Sequence, residues 1–183
     1  AIGLGQEKPD PDTMEQPPRD RREKLLNWPL VIHSYLFLGM IEAGFALALF
    51  FWVLVQGGWS YGADLPASDS LYRAATGITL SSIILMQIGN LIGRRSRFGT
   101  GFDRDVFRNP LIVAGIAIEI LFSWAVLYFP SVSDVLGTGP VDPAVYAVAW
   151  LGPFLIYGFD YGRKRIAREW RRTGTPPAFG MER

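Results

Sequence analysis

The chain has 183 residues, 49% of them hydrophobic, with 18 Lys and Arg against 17 Asp and Glu for a net charge of +1. The absence of Cys excludes a disulfide framework, a thiolate metal site and a Cys nucleophile, and the single His33 excludes a His-cluster metal site within the chain. The mean hydropathy of +0.18 reflects segregation: four apolar runs hold almost no charge, and the segments between them hold nearly all of it.

In chain order, Ala1 to Gly5 (AIGLG) lacks the order of a signal peptide and reads as the continuation of a preceding segment. Residues 1–27 read as a cytosolic Pro-rich connector, charged and broken by Pro9, Pro11, Pro17 and Pro18. The first apolar span is expected at about 30–55, with Trp28 and Trp52 near its ends, where indoles favour the membrane interface. Gly39, Ala43 and Ala46 give it a small-residue stripe that permits close helix approach. Glu42 lies mid-span and is a functional candidate, the weakest of four; its bland reading is a hydrogen-bonded packing carboxyl. His33 reads as an interfacial anchor.

The second span, about 74–92, carries the stretch TGITLSSIILMQIGNLI. A bilayer core takes about 20 apolar residues, yet Thr76, Thr79, Gln87 and Asn90 interrupt this one. At the helical angle per residue these four fall within an arc of roughly 80°. Amides in hydrocarbon are costly without partners, so this face is expected to look at other helices and to organise the bundle. The third span, 110–129, opens on Pro110 and has Glu119 at its centre, with Gly115 and Ser123 a turn to either side. The stretch after it, PSVSDVLGTGPVD, reads as a loop. The fourth span, about 143–161, is expected to kink at Pro153 and to lead into a basic run from Arg163 to Arg172. Residues 173–183 read as a flexible tail.

Of the 18 Lys and Arg residues only Arg73 falls in the two loops that follow spans one and three. Basic segments stay cytoplasmic, so the expected fold is an all-α membrane protein: a four-transmembrane-helix bundle over residues 28–172 with both termini cytoplasmic. The basic clusters flank spans, so they belong with anionic headgroups and not with nucleic acid.

The order of several motifs resembles the C-terminal end of a type II P-type cation-transporting ATPase, the family of calcium, sodium/potassium and proton pumps. The family's sixth helix is followed by a short run like ALG, which Ala1 to Gly5 resembles, then a Pro-rich loop and a motif like D-x-M-x-x-P-P-R, here Asp12, Met14, Pro17, Pro18 and Arg19. Its seventh helix often has G-M-I-Q/E-A, matched by Gly39, Met40, Ile41, Glu42 and Ala43. In the eighth, calcium pumps carry a Glu ligand where this chain has Gln87, and sodium/potassium pumps have Gln there and Asp at the place of Asn90. The ninth resembles N-x(9)-E followed by Y-x-P through Asn109, Glu119, Tyr128 and Pro130. The tenth resembles Y-D-E-x-R-K through Phe159, Asp160, Arg163 and Lys164.

The resemblance implies transmembrane helices seven to ten of a pump, in an integral membrane setting expected to be a bacterial inner (plasma) membrane. Gln87, Asn90 and Glu119, with Glu42 behind them, are the implied cation ligands or hydrogen-bond partners of ligands. Exchanging the calcium-pump Glu for Gln87 removes a charge, which puts a second Ca²⁺ site in doubt. The implied partners are the remaining helices and cytosolic domains of the pump, the bilayer, and a transported cation, Ca²⁺ or Na⁺, K⁺ or H⁺. No cofactor is expected on this chain; the parent pump would use ATP and Mg²⁺. The family's phosphorylated motif D-K-T-G-T is not in this sequence, so the chain alone is expected neither to hydrolyse ATP nor to pump. The alternative is a stand-alone four-helix membrane subunit or small carrier.

Overall fold

A computed structural model describes residues 32–95, 100–102 and 104–173, which are helical without a strand. The connector 1–27 and the tail from 174 onward lie outside the described residues. A π-helical segment, Ile32–Leu38, runs directly into helix α1, Gly39–Gln56. Helix α2 spans Ser70–Arg94, and after a 3-10 turn at Arg104–Arg108 helix α3 spans Pro110–Tyr128. Three more helices follow: α4 (Pro130–Leu136), α5 (Pro143–Ala149) and α6 (Leu151–Thr173).

Local chemistry sets these boundaries. Asp69, Asn109 and Asp142 each accept a hydrogen bond from the backbone N–H two residues on, at 2.7, 3.1 and 2.8 Å, and so cap α2, α3 and α5. Pro110, Pro130 and Pro143 each sit at the start of a helix, where a missing N–H leaves nothing unpaired.

Among the described residues, three helical stretches are long and apolar enough to cross a membrane: Leu36–Gln56, Ser70–Arg94 and Pro110–Tyr128. The protein is thus an all-α membrane protein, as its sequence indicates. Three details differ from the sequence reading. The second helix begins at Ser70 because the Asp69 cap allows an extra turn, which draws Arg73 inside it. The stretch after the third span is not a plain loop: Pro130 starts helix α4, and Gly137 ends it at a φ of 67°. The helix after Pro143 is broken at Trp150, three residues before Pro153, because proline has no N–H to offer the carbonyl of Ala149. The stretch 143–161 is therefore split between α5 and α6, and the second half of α6 is strongly charged, which separates it from the three apolar spans.

Helix α2 is the hub. It packs against α1, α3 and α6, and 50% of its span is buried, against 22% for the spans of α1 and α3. Leu49, Ile78, Leu85, Ile88, Leu127 and Ala149 form the main apolar core. Met40, Leu47 and Phe51 on α1, and Ile118, Leu121 and Phe122 on α3, are exposed and suit lipid.

Lipid is as apolar as leucine, so close packing and hydrogen bonds must hold such helices together. Ser81 of α2 and Ser123 of α3 are fully buried, with their hydroxyls 2.7 Å apart. Near the start of α2, Arg73 pairs with Asp134 at 2.7 Å and donates to the carbonyl of Thr138 at 3.0 Å. Against α6 the approach is closest at Gly89, where an added Cβ would lie 2.3 Å from the carbonyl oxygen of Pro153.

Gly89→Ala therefore has to push α2 and α6 apart. We expect a loss of about 1–3 kcal/mol, read as a lower thermal midpoint of the purified full-length protein in detergent. An unchanged midpoint would contradict the close approach.

Candidate functional site: a polar cavity on helix α2

Positions 87, 90, 91 and 94 of α2 follow the three- and four-residue spacing that puts side chains on one helical face. That face, Gln87, Asn90, Leu91 and Arg94, forms one wall of a cavity of about 390 Å³. Leu38 and Glu42 form a second wall, and Glu119 reaches its edge from α3; the cavity is open on one side, with Arg94 exposed. The four sequence candidates, Glu42, Gln87, Asn90 and Glu119, thus meet in one place, delivered by three helices.

Their hydrogen bonds form a short chain. The Gln87 Nε2 donates to Glu42 Oε1 at 2.6 Å, and Asn90 Nδ2 donates to Gln87 Oε1 at 3.4 Å. The first is short, as a bond to a carboxyl can be; the second is long and weak. Glu119 stands apart. Its Oε2 is buried without a hydrogen-bond partner among the described residues, an arrangement that costs free energy in a medium of low dielectric. Together the walls supply two carboxyls, two side-chain amides and the Arg94 guanidinium.

Thr76 and Thr79, in the same arc of α2, do not join this cavity. Their hydroxyls donate back to the carbonyls of Tyr72 and Ala75, at 2.9 and 2.7 Å, the usual resting place of a short hydroxyl in a membrane helix. Gly115 and Ser123 differ too: Ser123 is tied to Ser81, and nothing lies within 4 Å of a Cβ added at Gly115. Arg94 is the cavity residue that sequence reasoning missed. It lies at the start of the basic stretch that follows the second span, yet its position two helical turns after Gln87 places it on the same face.

Comparison with known proteins agrees with this architecture. A family profile described as "Cation transporting ATPase, C-terminus" matches residues 1–166. The chain belongs to this family of cation-transporting ATPase C-terminal domains. It is 28% identical over 193 residues to potassium-transporting ATPase alpha chain 2 of Homo sapiens, covering 92% of this chain and 19% of that protein. Against potassium-transporting ATPase alpha chain 1 of Xenopus laevis the identity is 26%, over 90% of this chain and 18% of the relative. The sodium/potassium-transporting ATPase subunit alpha-3 of Gallus gallus is 26% identical over 92% of this chain and 19% of its own length. The chain thus spans about a fifth of these relatives. They are animal proteins named for potassium and sodium, so neither calcium transport nor a bacterial inner membrane draws support from them.

Within this cation-transporting ATPase domain the Glu42–Gln87 contact is the firmest link across the cavity. In a double-mutant cycle of Glu42→Ala and Gln87→Ala on the full-length protein, we expect a coupling of about 0.6 kcal/mol or more in stability, the average for hydrogen bonds between membrane helices. Strictly additive losses would contradict the contact.

Proposed function

We propose that this chain is the C-terminal membrane domain of an ATP-driven cation pump and that its cavity lines part of the ion pathway. The observation that carries the reading is the convergence of Glu42, Gln87, Asn90 and Glu119 from three helices on one open cavity between apolar helices. Polar side chains at membrane depth mark ion routes when they face such a cavity. Gln87 and Asn90 would offer neutral amide oxygens, and Glu119 a carboxylate whose buried oxygen has no partner among the described residues.

The cargo we propose is a monovalent cation, K⁺, Na⁺ or H⁺. A Ca²⁺ ion takes 6–8 oxygens, with carboxylates prominent among them. Here the two carboxyls share the cavity with the Arg94 guanidinium, and Glu42 is already engaged by Gln87. The names of the relatives lean the same way. In this reading both termini are cytoplasmic, on the charge distribution described above. The rest of the pump supplies ATP and Mg²⁺ binding, the phosphorylated Asp and the other pathway helices.

The test is cation-stimulated ATP hydrolysis by the full-length pump, titrated separately with K⁺, Na⁺ and Ca²⁺. Gln87→Ala and Glu119→Gln are each expected to raise the half-saturating concentration of one monovalent ion several-fold. Titrations that match wild type for every ion would exclude the cavity from the pathway, and a shift confined to Ca²⁺ would reverse the choice of cargo.

A further inference from the structure

The cavity wall on α2 is built from the last two turns of that helix, and a helix end is its least determined part. Its last four carbonyls have no partner within the helix, so whatever meets them sets the geometry of the final turn. Here the partner comes from α6. The Lys164 ammonium donates to the carbonyl of Gly93, the residue just before Arg94 and three after Asn90. Lys164 is only 4% exposed and pairs with Asp160 Oδ2 at 2.7 Å. Asp160 is 6% exposed and is also met by Arg163 at 3.0 Å. Gly93 leaves room for this: a Cβ there would lie 2.9 Å from Asp160 Oδ2.

A buried ion pair of this kind adds little net stability, because desolvation offsets most of the attraction. What it does give is direction. An ammonium held between a carboxylate on its own helix and a carbonyl on the neighbouring one can satisfy both only in a narrow range of positions. A cation at a helix C-terminus is also favoured by the helix dipole.

From this contact we infer that Lys164 is a positioning residue for the cation cavity. By holding the carbonyl of Gly93 it fixes the last turn of α2, and with it the places from which Asn90 and Arg94 enter the cavity. Lys164 does not line the cavity; it acts through α2. The inference rests on the proposed cation pathway and concerns how tightly the pathway is shaped.

The experiment is a cation titration of ATP hydrolysis by the full-length pump carrying Lys164→Met, Gly93→Ala or, as the control for the cavity, Gln87→Ala. Lys164→Met is expected to raise the half-saturating cation concentration by about tenfold, the low end of the loss when a partner that orients a metal ligand is removed, with maximal velocity nearly unchanged. Gly93→Ala keeps every charge but crowds Asp160, and is expected to shift the same constant in the same direction by less. If Lys164→Met fails to accumulate, Gly93→Ala decides alone. A shift in Gln87→Ala, with wild-type half-saturation in whichever of the other two accumulates, would overturn the positioning role and leave the cavity reading standing. No shift in Gln87→Ala would remove the cavity reading and the inference with it.

Discussion

A side-chain amide inside a bilayer has no water to bond with, and each group left unpaired costs several kcal/mol in hydrocarbon. Helix α2 carries two such amides, Gln87 and Asn90, in its second half, beside the hydroxyls of Thr76, Thr79, Ser81 and Ser82 further back. That constraint orders much of the structure. Gln87 finds the carboxyl of Glu42 across the gap to α1, and Asn90 leans on Gln87. To bring a partner within reach, α2 must be flanked by helices, and it is the most buried of the three apolar spans. Glu119 adds a third helix to the same polar spot.

The surrounding packing holds that spot in place. Apolar contact alone does not favour one helix neighbour over another in lipid, so α2 is registered by small residues and by polar ties at both ends. Arg73 secures its first turns to the segment around Asp134 and Thr138, the Ser81–Ser123 pair ties its middle to α3, and Lys164 meets its last turn from α6. Between these ties Gly89 lets the α6 backbone come into contact. Such a frame leaves a cavity whose walls come from three different helices.

The first three apolar spans were legible in the sequence because length and composition decide them, and the polar arc of α2 was legible because periodicity does. What periodicity could not separate was Thr76 and Thr79 from Gln87 and Asn90. All four share the arc, but a short hydroxyl can bond its own helix, whereas a longer amide reaches across. Arg94 was hidden by its neighbours in the basic cluster, although the same periodicity included it. Pro153 signalled a disruption in the right place, yet the break falls at Trp150, because a proline withholds its hydrogen bond from a carbonyl one turn earlier. The bond between Glu42 and Gln87 joins residues 45 positions apart on neighbouring helices, and no local pattern encodes that pairing.

The most direct measurement is an anomalous-scattering structure of the full-length pump with Tl⁺, a heavy stand-in for K⁺, in its ion-occluded state. An anomalous peak is expected in the cavity, among the side-chain oxygens of Gln87, Asn90 and Glu119. Peaks confined to other helices, with the cavity empty at saturating Tl⁺, would contradict a cation pathway through this domain.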